Sequence, residues 1–125
     1  MKKILVVLAF CSLVLGVNTA DSARNPCEGG GAEDAMRCQE KTWQRAEKEV
    51  HEAYKQALSN IQKLKDAELT AKFKEAQDAW VKYRELQCSV AAKYEDSSSQ
   101  WATVWKANCE AQFAKDRASY LNEMF

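Results

Sequence analysis

Few side chains in this sequence could do acid–base or metal chemistry, and they are widely scattered. The chain has one histidine, His51, and Glu47 precedes it by one helical turn, a spacing that could hold a cation weakly. The three serines at 97–99 would need a neighbouring base to act as nucleophiles, and His51 lies far from them in the sequence. We therefore predict that His51 is solvated, and that the protein has no metal, no cofactor and no enzymatic activity.

Cysteine is the other reactive residue type, and its spacing favours disulfides. Cys11 lies within an apolar N-terminal run that should be removed, which leaves Cys27, Cys38, Cys88 and Cys109. The gaps of 11, 50 and 21 residues differ from the short spacings of zinc ligands. An even number of cysteines in an exported chain predicts two disulfides.

The first twenty residues have the pattern of a secretory signal peptide. Two lysines precede an uncharged apolar run from Ile4 to Gly16, which is shorter than a membrane span requires. Residues 1–20 are therefore predicted to be a signal peptide that is cleaved after Ala20 or Ala23. The exported chain would be periplasmic or secreted and would carry no membrane span.

Positive and negative charges are balanced along the chain. The full sequence has 18 basic and 18 acidic residues, and the loss of two lysines with the signal peptide leaves 16 against 18. Because the two signs are interleaved in every segment, no basic groove for phosphate is expected. This pattern argues against a nucleic-acid partner, and we expect a protein partner instead.

An irregular arm and a long helix form the first part of the predicted fold. Residues 21–31 are polar and contain the single proline and three consecutive glycines, so they should form the arm. The first helix has Glu33 and Asp34 in its first turn and is followed by a turn at 63–68, where Asp66 is an N-cap candidate. Its predicted core face combines a heptad series with four residues that widen it: Met36, Trp43, Val50, Ala57 and Leu64, with Ala46, Ala53, Tyr54 and Ile61.

Two further helices complete the prediction, separated by a turn at 95–100. The second helix has an apolar face made of Leu69, Phe73, Ala76, Trp80, Tyr83, Gln87, Val90 and Tyr94. The face of the third helix consists of Trp101, Trp105, Cys109, Phe113, Tyr120, Leu121 and Met124. No alternation typical of a strand is present, so the fold class is all-α. We predict that residues 32–125 form a small antiparallel three-helix bundle stapled by two disulfides.

The heights of the cysteines along such a bundle favour one pairing. With the first turn near residue 64, Cys38 and Cys88 lie at similar heights, and Cys109 reaches the same end of the bundle as Cys27 on the arm. We therefore favour Cys38–Cys88 together with Cys27–Cys109. The pair Cys27–Cys38 is a feasible alternative.

A motif at the centre of the second helix resembles a known family. The motif has the form A-Q-x-A-W-x-x-Y-R-x-x-x-C, which is similar to that of the LprI lysozyme inhibitor family, and its residues here are Ala76, Gln77, Trp80, Tyr83, Arg84 and Cys88. Farther on, Cys109, Arg117 and Leu121 are similar to the C-terminal C…R…L pattern of the family. Ala114 departs from it, because the family often has a threonine there.

We predict that the motif residues have structural roles. An aromatic stripe at helical spacing is typical of a core, and Arg84 should pair with an acid of the first helix. The predicted structural set consists of Gln77, Trp80, Tyr83, Arg84 and Arg117.

The resemblance implies an exported helical domain that binds a lysozyme and inhibits it by occluding its cleft. The alternative is a non-enzymatic envelope structural or stress-response module with another partner. An inhibitor needs a protruding polar or acidic element with an aromatic anchor. The first candidate for this element is the loop formed by Glu95, Asp96, Ser97, Ser98, Ser99 and Trp101. The second candidate is the arm from Cys27 to Gly31.

Overall fold

A computed structural model of the protein describes Cys27, residues 29–95 and residues 99–125, except for the side chain of Ser99. The predicted signal peptide, residues 1–20, and most of the predicted arm lie outside the described residues. The described part therefore contains the predicted helical domain, apart from residues 96–98, together with the end of the arm.

Three α-helices make up almost all of the described chain. They are α1 (Ala32–Gln62), α2 (Ala67–Glu95) and α3 (Ser99–Met124), and no strand occurs within the described ranges. The all-α fold class and the three predicted helices are thus confirmed.

The turn between α1 and α2 is set by local side-chain chemistry. Lys65 has a left-handed backbone with φ 56°, which reverses the chain after α1. The Asp66 carboxylate accepts a hydrogen bond from the Leu69 backbone N–H at 2.9 Å, so Asp66 is the N-cap that the sequence predicted. Leu64 was predicted to lie in the core, but this is wrong, because α1 ends at Gln62 and the Leu64 side chain is exposed in the turn.

The core lies mainly between α1 and α3, which make the most extensive helix contact, whereas α1 and α2 touch little. Small residues let these two helices approach closely, as the alanines of α1 predicted. Ala114 is fully buried there, so the departure from the threonine of the family falls at a tight helix contact. The buried residues of the cluster are Ala46, Val50, Ala53, Ala57, Ile61, Phe73, Ala111, Ala114, Ala118 and Leu121.

The contacts of α2 have a consistent direction. As residue numbers rise along α2, those of the partners on α3 and its C-terminal neighbour Phe125 fall. The pairs are Phe73 with Phe125, Gln77 with Arg117, Tyr83 with Phe113, and Cys88 with Cys109. At the same end as Phe73, the Asn60 side chain donates a hydrogen bond to the Phe125 carbonyl at 2.8 Å, which joins the last turns of α1 and α3. This order of contacts is the one expected of a bundle in which α2 runs opposite to both neighbours.

The predicted core face of α2 is only partly correct. Because α1 and α3 pack closely on each other, α2 contributes only Phe73, Cys88 and Ala92 to the buried residues. Four large members of the predicted face are exposed instead: Leu69, Tyr83, Val90 and Tyr94. The interpretation of Tyr83 as a core residue is therefore wrong, although its ring meets that of Phe113 at a centroid distance of 5.8 Å.

Candidate functional site

Two disulfides hold one end of the bundle, and their pairing differs from the favoured prediction. Cys27 is bonded to Cys38 with their Cα atoms 4.9 Å apart, and Cys88 is bonded to Cys109 with Cα atoms 5.5 Å apart. The prediction of Cys38–Cys88 with Cys27–Cys109 is wrong, and the alternative Cys27–Cys38 is the pair observed. All four cysteines are disulfide-bonded, as the sequence predicted.

The physical reason for this error is the uneven contact between the helices. Similar height is not enough for Cys38 and Cys88 to meet, because α1 and α2 touch little and Cys88 lies against α3. The end of the arm instead folds back onto the second turn of α1, so Cys27 reaches Cys38. The disulfide pairing is therefore determined by which helix faces are in contact. The height of each cysteine along the bundle does not determine it.

Two guanidinium groups lie close to the ring of Trp80 at the centre of the bundle. It is partly buried and packs against the core, with the Arg84 guanidinium carbon 4.8 Å and the Arg117 guanidinium carbon 5.8 Å from its ring centre. These distances are those of cation–π contacts. The motif thus places the tryptophan of α2 beside one arginine of its own helix and one of α3.

Arg84 also joins α2 to α1 through an ion pair with Glu47. Both terminal nitrogens of its guanidinium donate to the Glu47 carboxylate, and the two side chains are 11% and 30% exposed. The predicted pairing of Arg84 with an acid of the first helix is confirmed. The carboxylate that could have formed a weak cation site with His51 is therefore engaged elsewhere, and the His51 side chain is exposed.

Arg117 is held by neutral groups and aromatic rings. Its Nε donates to the Gln77 side-chain oxygen at 3.1 Å, and its guanidinium carbon lies 5.4 Å from the ring centre of Tyr120. Burial lowers the pKa of Arg117, and the neighbouring Tyr120 opposes that shift. Together with Arg84 and Trp80, these contacts link all three helices.

The first candidate recognition element lies at the junction of α2 and α3. Glu95 is exposed at the last position of α2, and Trp101 is 38% exposed in the first turn of α3. Asp96, Ser97 and Ser98 lie outside the described residues, as does the side chain of Ser99. Trp105 was assigned to the core face of the third helix, but it is also partly exposed, one turn after Trp101.

The second candidate element, the arm, lies at the same end of the bundle. An open groove of about 450 Å³ is lined by residues of the first two turns of α1 and the first two turns of α3, including Met36, Arg37, Gln100 and Thr103. The starts of these helices are therefore neighbours. We call residues 27–38, 88–95 and 99–109 the disulfide end of the bundle.

The described residues carry neither a metal cluster nor a membrane-crossing helix. No group of three or more histidine, cysteine, aspartate or glutamate side chains within the described ranges could hold a metal ion. None of the three helices combines the length and apolar character needed to traverse a bilayer.

Comparison with known proteins identifies the family. The family model described as "Lysozyme inhibitor LprI" matches residues 27–121, which is more than half of the chain and includes both disulfides and the Trp80 motif. The chain matches no curated protein and no solved structure. From this match we conclude that the chain belongs to the LprI lysozyme inhibitor family.

Proposed function

We propose that this protein is an exported inhibitor that binds a lysozyme and occludes its substrate cleft through the disulfide end of the bundle. Membership of an inhibitor family supports the activity. We choose this surface because Trp101 and Trp105, beside the α2–α3 junction, are both partly exposed. The signal-peptide pattern and the disulfides support a periplasmic or secreted location.

The two tryptophans have the properties of an aromatic anchor. Trp101 and Trp105 lie four residues apart on α3, so they share one helix face. Tryptophan brings a large rigid contact area and is enriched among residues whose truncation costs the most binding free energy. A helix that begins at Ser99 and is tied to α2 by the Cys88–Cys109 disulfide would present this face with little loss of conformational entropy on binding.

Polar groups of the junction would complete the contact. A lysozyme cleft binds extended saccharide beside two carboxyl groups, so the hydroxyls of residues 97–99 are suited to replace sugar hydroxyls. Glu95 and Asp96 would lie on the basic rim of the enzyme, because like charges would be repelled from its catalytic carboxyls. The arm near Cys27 lies at the same end and would broaden the contact.

A lysozyme inhibition assay with a matched pair of variants tests this proposal. Trp101→Ala should leave helicity and melting unchanged and weaken inhibition at least about tenfold, or about 1.4 kcal/mol. Leu69→Ala is the control, because Leu69 is 39% exposed against 38% for Trp101 and lies near the opposite end of the bundle. Replacement of Asp96 and Ser97–Ser99 with alanine should have an effect similar to that of Trp101→Ala.

Two results would contradict the proposal. If the wild-type protein inhibits and Trp101→Ala inhibits equally well, the disulfide end is not the inhibitory surface. If the oxidised wild-type protein does not slow cell-wall lysis by any lysozyme tested, the envelope structural or stress-response module becomes the better hypothesis.

A further inference from the structure

Helix α2 carries an apolar stripe that the rest of the described chain leaves exposed. Tyr94 is 88% exposed, and the other members are also exposed. The members recur at steps of three and four residues, which places them along one face of the helix. This α2 stripe consists of Ala76, Ala79, Tyr83, Leu86, Val90 and Tyr94.

The spacing of the α2 stripe is that of a seam between helices. Apolar residues that alternate at three and four positions pack into the matching seam of a second helix, as in a coiled coil. The side of α2 that packs on α3 contains Cys88, Gln77 and Trp80, and of the stripe only Tyr83 reaches it, through the edge contact of its ring with Phe113. A contiguous exposed apolar surface on a small protein marks an interaction site.

The α2 stripe is nearly symmetric about a centre between Arg84 and Glu85, with the outermost pair, Ala76 and Tyr94, centred on Glu85. A second α2 laid against it in the opposite direction would therefore bring apolar residues to apolar residues along the whole seam. Near the ends, each small residue would meet a large one, which allows close packing. The matching positions are Ala76 with Tyr94, Ala79 with Val90, and Tyr83 with Leu86.

The charges beside the α2 stripe have the complementary symmetry. Along one flank of the stripe the charged residues are, in order, Glu75, Lys82, Glu85 and Lys93. Each residue on one side of the stripe's centre has a residue of opposite charge on the other side, and both pairs are centred close to the centre of the stripe. In an opposed pair of α2 helices, Glu75 would lie near Lys93 and Lys82 near Glu85. A parallel, in-register pair would instead bring like charges together. All four side chains are exposed, and no ion pair engages them among the described residues.

We infer that the α2 stripe binds a second copy of this chain, with the two α2 helices antiparallel across a two-fold axis near Arg84. An interface of this kind uses the same patch on both subunits, so the patch must be self-complementary in shape and charge. Both kinds of complementarity are present on α2. The α2 stripe includes neither Trp101 nor Trp105, so dimerisation can be tested without a lysozyme.

Sedimentation velocity of the oxidised protein, produced from the full chain and studied without lysozyme, tests this inference. The wild-type protein should dimerise reversibly at micromolar to millimolar concentration. Leu86→Arg should weaken dimerisation at least about tenfold, because it places a charge at the centre of the seam. Leu64→Arg is the matched control, since Leu64 is 66% exposed against 64% for Leu86 but lies in the α1–α2 turn.

A charge-swap cycle tests the direction of the helices. Glu75→Lys and Lys93→Glu should each weaken dimerisation, and the double variant Glu75→Lys/Lys93→Glu should restore it, because each swapped residue then meets its opposite again. A protein that stays monomeric throughout the concentration range would overturn the inference. So would equal effects of Leu86→Arg and Leu64→Arg, or a double swap that dimerises no better than the single ones.

Discussion

The two ends of the bundle are held together by different means. At the turn end, which we define as residues 54–73 and 121–125, aromatic packing dominates. Phe73 stacks on Tyr54 with ring centres 5.4 Å apart and meets Phe125 edge-on at 5.2 Å. Ile61 and Leu121 are buried beside them, so all three helices contribute apolar side chains to this end.

At the disulfide end, covalent bonds take the place of aromatic packing. The bonds Cys27–Cys38 and Cys88–Cys109 both lie there, while Trp101 and Trp105 remain partly exposed. A small domain has a limited core, and disulfides are a common reinforcement for it. Trp101 and Trp105 thus keep exposed surface that is available to a partner, while two disulfides tie the same end together.

The largest expected effect concerns the turn end. Phe73→Ala should lower the free energy of unfolding by about 3–5 kcal/mol, because it removes a buried ring from the contact of three helices. Urea denaturation followed by circular dichroism measures this change. Tyr83→Ala on the same helix is the control, since its exposed ring should cost less than about 1 kcal/mol. Equal losses for the two variants would contradict the division between a packed end and an exposed face.

The next effect concerns the Cys88–Cys109 disulfide. Replacing both cysteines with serine should lower stability by about 3 kcal/mol, since the bond closes a loop of 21 residues between two helices. Thiol titration of the denatured, unreduced wild-type protein should first show that no cysteine is free. Two or more reactive thiols would contradict the assignment of both disulfides.

The Cys27–Cys38 disulfide should contribute less to global unfolding. It ties the end of the arm to α1 alone, so its loss releases a local segment and leaves the bundle in place. The variant with serine at both positions should therefore melt closer to the wild-type protein than the Cys88→Ser/Cys109→Ser variant. A lower melting temperature for the arm variant would show that the arm supports the bundle.

A smaller effect is expected for the central ion pair. Glu47→Gln should cost about 1–3 kcal/mol, because it leaves the largely buried Arg84 without its counter-charge, while the partial exposure of Glu47 screens part of the loss. Glu52→Gln on the same helix is the control, since its pair with Lys48 spans 3.9 Å between exposed side chains and should contribute less than about 0.5 kcal/mol. Thermal melts of both variants at low and high salt would distinguish the effect of Glu47→Gln from that of Glu52→Gln. Indistinguishable variants would contradict the role given to the Glu47–Arg84 pair.

Local sequence patterns predicted much of the fold. Helix periodicity located all three helices, and the preference of aspartate for N-caps identified Asp66 at the start of α2. The pairing of Arg84 with an acid of α1 could also be predicted, because a partly buried guanidinium requires an anion. Each of these features depends on neighbours in the sequence or on a strong electrostatic requirement.

Features that depend on which helix faces meet could not be predicted. The alanines of α1 and α3 fit each other so closely that α2 packs on a narrow strip, which leaves Tyr83 and Val90 exposed. The same uneven packing overturned the favoured disulfide pairing. The partial exposure of Trp105 was not predicted, because a tryptophan at helical spacing is usually a core residue. The available signal was its position in the second turn of a helix that follows a serine-rich segment.

The most direct test of the central claim is binding to a lysozyme whose cleft is already filled. The affinity of the oxidised protein would be measured by fluorescence anisotropy, with and without a saturating chitin oligosaccharide that occupies the cleft. Occlusion of the cleft by the disulfide end predicts that the oligosaccharide weakens binding at least about tenfold. Equally tight binding to the saccharide-filled enzyme would contradict that account.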